Sequence, residues 1–384
     1  MNELTEIGDD ASMAIRLAFV GDICLGKAVK EGLRDQNGGD LFAKVRHLLG
    51  RADLAVGNLE CALVPDGFRH SPDHGSMTVP ASLVDRDMLE PFSVLGLANN
   101  HVMDAGIQGL TATKAFLGQN QFACFGADSD LPGAEDCCVV EVGGMRIAFV
   151  GACDVQKYYA GDSRPGVAPL IETRLVSRVK VAREKADLVI VVLHADLEFS
   201  HHPSPQRVKL SRHLIDAGAD AVIQHHPHVC QGIERYRGRV IAYSLGNFVF
   251  PVSENLYMRR HSGTNWGLIL FLHIERCSSG HKMSFTFEPV IIGGDNCPAP
   301  SIGSERSSQI ETIEEISRDL GNNRLIRYRW WQRCIVEAKS TYYVLAHCRR
   351  KSGTLAMLKA VIELLRDPYE RRWMYGVLTA GFMG

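Results

Sequence analysis

Six polar clusters in this 384-residue chain carry the residue types that hold metal ions, and each sits at or just after a short apolar run. They are Gly21-Asp22, Gly57-Asn58-Leu59-Glu60, Asn99-Asn100-His101 with Asp104, His194 with Glu198, His225-His226-Pro227-His228, and Ser244-Leu245-Gly246-Asn247. Asp22 and Glu60 offer carboxylate oxygens, His194, His226 and His228 offer imidazoles, and Asn100 offers an amide oxygen. That mixture suits Mn, Fe or Zn, because Mg and Ca prefer all-oxygen shells. His226 and His228 stand two apart, so on an extended segment both point the same way and can grip one ion. Glu60 and Asn100 can bridge to or cap a second. Two neighbouring ions lower the pKa of a bridging water and stabilise in-line attack at phosphorus or a similar centre. His101 adjoins a ligand but has its own direction, which fits a general acid protonating the leaving oxygen, with Asp104 as its catalytic neighbour. Asn58, Glu198, Ser244 and Asn247 are then assigned to substrate binding.

Each cluster alone has an ordinary reading. Asp104 precedes Ala105-Gly106 and can N-cap the helix that follows. Gly57-Asn58 and Gly246-Asn247 are common turn pairs. It is the joint placement that carries the inference. The apolar runs are Ile15–Val20, Leu54–Val56, Val94–Ala98, Leu188–Leu193, Ala221–Ile223 and Val240–Tyr243, all read as strands. Open α/β sheets hold ligands outside the carboxyl ends of their strands, so clusters more than 200 residues apart in sequence can converge.

The strands alternate with helical patterns near 40–49, 81–89, 106–117, 172–185 and 204–217, which predicts an α/β fold with helices outside the sheets. From Ile233 to Ile292 short strands and turns predict antiparallel β-structure. The organisation reads as a tail over 1–12, a main domain over 13–295, a Gly-, Pro- and Ser-rich linker over 296–310, and a basic helical extension over 311–384. In that extension Leu355, Leu358, Ile362 and Leu365 recur at helical spacing.

The net charge of −2 hides an asymmetry: Gly321 to Gly384 holds 12 lysines and arginines against 4 acids, and the rest of the chain holds 30 against 40. Three of the four tryptophans share that basic extension. Such a tail fits an anionic partner, peripheral contact with a membrane surface, or docking onto the acidic body. No nucleic-acid reading motif accompanies the arginines. The acidic start Met1–Asp10 does not read as a signal peptide, and no apolar stretch is long enough to cross a bilayer. Eleven cysteines without a CxxC pair read as reduced thiols. The expected location is cytoplasmic, with docking of the extension onto the body as its first reading and contact with the inner face of the membrane as the second. The stretch Gly21 to Lys27 has P-loop spacing, but Ala28 lacks the magnesium-binding hydroxyl, which excludes a P-loop NTPase. No G-x-S-x-G elbow supports a serine hydrolase.

Over about residues 15–292 these motifs resemble the CapA family of poly-γ-glutamate capsule biosynthesis, itself similar to the calcineurin-like metallophosphoesterases. The most specific segments are Asn99-Asn100-His101 with Asp104 and Ser244-Leu245-Gly246-Asn247-Phe248. The resemblance implies a four-layer αββα sandwich of the metallophosphoesterase type, with the C-terminal helices as an extension. It implies metal-dependent phosphoester hydrolysis with two divalent ions of Mn, Fe or Zn. Asp22, Glu60, Asn100, His194, His226 and His228 would be ligands, and His101 the proton donor. The substrate would be anionic or phosphorylated, such as a capsule polymer or its precursor. Four positions depart from the pattern: Cys24 replaces the usual histidine two residues after the first Asp, Ala195-Asp196 replaces Trp-Gly, and Gln224 replaces Gly. The competing class is a non-catalytic polymer-handling or assembly subunit with a partial metal site.

Overall fold

The long apolar runs become strands because both of their faces are covered. In this computed structural model, which describes residues 14–26, 40–71, 75, 77–253, 255–278 and 280–379, odd and even positions of one strand feed different cores. Ile15, Leu17 and Phe19 pack between two sheets against Ile147, Phe149, Leu188 and Ile190. Ala18 and Val20 face outward beneath Leu48, Leu49, Met88, Leu89, Leu110 and Leu117 of the covering helices. On the second sheet, Val189, Val191 and Leu193 meet Leu175, Val179, Leu214 and Ile215 of the helices Glu172–Lys185 and Pro205–Asp216. Continuous runs of Val, Ile and Leu are the expected signature of strands buried on both faces. The result is the four-layer αββα sandwich that the family resemblance implied.

The first sheet has eight strands. Its central path runs from Pro298–Pro300 through Gly280–Ile292, Trp266–Cys277, Ala14–Ile23, Leu54–Leu59 and Val94–Gly96 to Ala123–Phe125. The last four of these are parallel, and Asn247–Val249 adds a parallel partner to the end of Ala14–Ile23. The second sheet has six strands, with Met145–Cys153, Leu188–His194, Ala221–His225 and Arg239–Ala242 parallel at its centre. Register does the positioning. Asp22 lies opposite both Asn58 and Asn247, and His194 lies opposite His225. The crowding there needs Gly21, since a Cβ on it would lie 2.3 Å from the Gly246 carbonyl oxygen.

Residues 296–310 differ from the linker expected of them. Pro298–Pro300 forms the outermost strand of the first sheet, a place where missing N–H donors do no harm, and a helix starts at Gly303. That helix, Gly303–Asp319, buries Ile313 and Ile316, and the Ile233 amide donates to the Ser317 hydroxyl at 2.9 Å. Gly, Pro and Ser here mark an edge strand and a helix start. The helical patterns at 40–49 and 81–89 shorten to Arg46–Leu49 and to a 3₁₀ turn plus Arg86–Leu89.

The extension continues as Asn323–Arg366, broken by Gly353 at φ +85°, and Pro368–Thr379. Trp330 and Trp373 are buried with Cys334 against Leu197 of the body. The arginine-tryptophan cluster therefore docks onto the main domain. No helix among the described residues is long and apolar enough to cross a membrane.

Candidate metal centre

Asp22 and Glu60 enter the site from the ends of adjacent strands, and their environments differ. The Asp22 Oδ1 accepts from the Asn58 amide at 2.8 Å and lies 3.1 Å from His225 Nδ1. Burial works against its charge, but the His225 contact and the neighbouring imidazoles outweigh that, holding its carboxyl below the ordinary range. Glu60 is fully buried, and neither carboxylate oxygen accepts a hydrogen bond among the described residues. Burial first, then the charge of Asp22, pushes its pKa well above the usual value. Its Oε1 faces His194 Nε2 at 3.3 Å, His228 Nε2 at 3.8 Å and His101 Nε2 at 3.9 Å. A buried carboxylate with no donor among the described residues, ringed by imidazole nitrogens, is a poor arrangement for protein alone and a good one for a cation.

The histidines are prepared as ligands. Burial lowers the pKa of both His194 and His226 to about 3, so they are neutral with a lone pair to give. His228 Nδ1 donates to the Asn247 amide oxygen at 2.9 Å, so Nε2 is the atom that faces Glu60. Burial lowers the pKa of His228, but the charges of Glu60 and Asp22 outweigh this and raise it. His194 Nε2 lies 2.7 Å from the Asn100 amide oxygen and 3.1 Å from His226 Nδ1. Two overlapping ligand sets result: Asp22, Glu60 and His228, and Glu60, His194 and His226, the second with Asn100 at its edge. Glu60 belongs to both. Glu198, His226 and His228 form a third set on the more open side.

His226 and His228 do not lie on an extended segment. Both have left-handed backbones, at φ +98° and +56°, in the turn after Ala221–His225. The turn, not strand alternation, brings their rings to 6.0 Å apart. Such angles cost about 1–3 kcal/mol each and persist only where surroundings enforce them.

His101 stands at the open edge. Its Nδ1 pairs with Asp104 Oδ2 at 3.0 Å, leaving Nε2 aimed inward. Burial pulls its pKa down, but the Asp104 hydrogen bond and the Glu60 charge outweigh this and raise it to about 9. Asp104 is not a helix cap, because the next helix starts at Gly106 with Ala105 at the cap position. It accepts from the Met77 amide at 2.9 Å instead, and Gly75 leaves it room, since a Cβ there would lie 2.2 Å from its carboxylate.

The residues assigned to substrate divide. Glu198 is half-buried at the opening, with the Tyr257 hydroxyl donating to its Oε2 at 3.0 Å. Asn58 is a buried hub, donating to Asp22 Oδ1 and lying 3.3 Å from His194 Nδ1. Asn247 is buried behind His228, and its amide also donates to the Thr264 carbonyl at 2.9 Å. Ser244 is buried in its turn, accepting from the Gly246 amide at 3.2 Å. Asn58 and Asn247 therefore shape the site from behind, and Ser244 holds the turn that leads to Asn247. Cys24 does not replace the missing histidine: its thiol points at Met77 Sδ 3.5 Å away, and burial with Cys61 and Glu60 nearby raises its pKa well above the ordinary value.

Three further residues matter that the sequence motifs do not single out. Asn99 accepts from the His101 and Val102 amides and donates to Asn58, tying the third cluster to the second. His225 sits against Asp22. Tyr257 reaches Glu198 from a distant segment. The Asn-Asn and His-His doublets hint at the first two, one residue ligating and its neighbour bracing; Tyr257 has no local signal.

A family model described as bacterial capsule synthesis protein PGA_cap matches residues 16–252. The chain is similar to the PGA biosynthesis protein CapA of Bacillus subtilis (strain 168), 32% identical over 309 residues covering 79% of this chain and 77% of that one. It is also similar to the capsule biosynthesis protein CapA of Bacillus anthracis, 30% identical over 245 residues, 62% of this chain and 60% of that one. Among solved structures, a 5′-nucleotidase precursor from Thermus thermophilus aligns with a TM-score of 0.42 at 14% identity, over 80% of this chain and 59% of that chain.

Proposed function

The chain belongs to the bacterial capsule synthesis protein PGA_cap family, and from that premise we propose that it is a metal-dependent hydrolase of phosphoester type acting on an anionic substrate of capsule-polymer synthesis. The observation that supports this best is Glu60, a buried carboxylate without a hydrogen-bond donor among the described residues, shared by two ligand sets. Residues Glu60, Asn100, His194 and His226 would hold one divalent ion, and Asp22, Glu60 and His228 a second with a thinner shell, since Cys24 turns away. Bound there, divalent ions supply an activated water and neutralise charge building on the substrate. His101 holds a proton at neutral pH and is positioned to give it to a leaving oxygen, while Asp104 orients the ring. Asn58 and Asn247 fix imidazole orientation from behind. The substrate's negative charge is matched by the imidazolium of His101 at the opening.

Elemental analysis tests the centre. Freshly purified protein, reconstituted with Mn, Fe or Zn, should hold on the order of one or two ions per chain. His226→Ala with His228→Ala should lose most of that metal. Wild-type protein that stays well below one ion per chain after reconstitution would leave the non-catalytic assembly role as the better reading.

A further inference from the structure

The segment Ala195–Ser204, which carries Glu198, is anchored to the body at some points and to the C-terminal extension at others. The body holds Ala195 through the His225 carbonyl at 3.0 Å, Phe199 through the Pro227 carbonyl at 2.8 Å, and Ser200 through the Gln231 amide at 2.6 Å. Asp154 of the body also accepts from the Asp196 amide at 2.9 Å, and the extension holds Leu197, the Glu198 carbonyl and His202. Leu197 is buried among Trp330, Cys334 and Trp373, Arg333 Nη2 donates to the Glu198 carbonyl at 2.7 Å, and His202 pairs with Asp319 at 3.0 Å. Asp196 and Phe199, on either side of Leu197-Glu198, have left-handed backbones at φ +95° and +58°. Angles of that kind relax unless neighbours enforce them. We propose that the extension is a clamp on the metal centre and that Arg333 is a positioning residue for Glu198, keeping its carboxylate within reach of His226 and His228. This rests on the metal reading above for its effect on binding.

The test compares full-length wild type, Arg333→Ala, Arg333→Lys and Trp330→Ala. Arg333→Ala should speed hydrogen exchange across residues 196–204, leave the melting temperature near wild type, and weaken Mn²⁺ binding by titration about tenfold, the lower range for loss of an outer support. Arg333→Lys, which keeps one donor for the carbonyl, should recover part of both effects. Unchanged exchange in the segment for both Arg333→Ala and Trp330→Ala overturns the clamp. Wild type that binds no Mn²⁺ overturns the metal reading instead, and exchange still decides the clamp.

A separate observation concerns the far end of the extension. Leu355, Leu358, Ile362 and Leu365 line one helix face and are 47–70% exposed, with Tyr342 and Tyr343 exposed nearby in sequence. Between Glu337 and Glu363 there are five cations (Lys339, Arg349, Arg350, Lys351 and Lys359) and no acid. Apolar side chains among cations fit an anionic lipid surface, whereas self-association through this face would bring like charges together. We infer that this part of the extension lies on anionic lipid. Full-length protein should float with phosphatidylcholine vesicles containing about one-third phosphatidylglycerol, less so in high salt. Reversing Arg349, Arg350 and Lys351 to Glu should weaken binding about 100-fold or more, and Leu358→Glu with Ile362→Glu should abolish it. Protein left unbound at low salt overturns the inference, as does a wild-type dimer that Leu358→Glu with Ile362→Glu splits.

Discussion

Glu60→Gln should empty both candidate ion positions at once, because its carboxylate would be the ligand that the two sets share. Metal analysis of the variant should therefore fall further than for either single histidine change. Stability provides a second measure. In wild type, saturating Mn or Zn at about 100 times the dissociation constant should add about 2.7 kcal/mol to folding, and the variant should show no such gain. Without metal the order changes with pH. The folded pKa of Glu60 is raised above its ordinary value of 4.5, so folding must protonate it or bury its charge. That penalty is absent below about pH 4.5 and grows as pH rises toward the folded value, by up to about 1.4 kcal/mol per unit. Glutamine has no such term. Denaturant melts of metal-free protein should thus show the variant gaining on wild type with rising pH, and a difference that stays flat, or metal retained by the variant, would remove Glu60 from its bridging place.

The convergence of the six clusters was legible because a parallel strand buried on both faces must be a continuous apolar run, and its polar end must be where the run stops. Leu188–Leu193 followed by His194 shows this directly. Roles within the clusters were less legible. Asn58 and Asn247 look like turn residues or substrate contacts in sequence, and only the register that sets both beside Asp22 shows that they brace imidazoles. The turn holding His226 and His228 reads as extended in sequence, since left-handed angles at non-glycine residues are enforced by tertiary surroundings and leave no local signature. The extension was legible as helical from Leu355, Leu358, Ile362 and Leu365. Its contact with Glu198 was not, because Arg333 and Glu198 are 135 positions apart with no shared pattern.

Changing His101 to alanine should leave metal content near wild type and lower hydrolysis of a chromogenic phosphodiester by about 10²–10⁴-fold, the usual worth of a positioned acid. The separation follows from geometry. His101 belongs to none of the three ligand sets, stands at the more open edge, and has its Nδ1 committed to Asp104. The pH profile distinguishes an acid from a merely structural residue. The Asp104 hydrogen bond favours the protonated ring, so the rate should fall as pH rises through the His101 pKa, which lies at about 9 without cations and lower once cations neutralise Glu60. Asp104→Asn removes the hydrogen bond and charge that hold the pKa up, leaving burial to lower it. The alkaline fall should then move to lower pH in Asp104→Asn, and it should disappear in His101→Ala, whose residual activity no longer depends on this proton. An unmoved alkaline limb in Asp104→Asn would assign the proton elsewhere, and loss of metal in His101→Ala would make His101 a ligand.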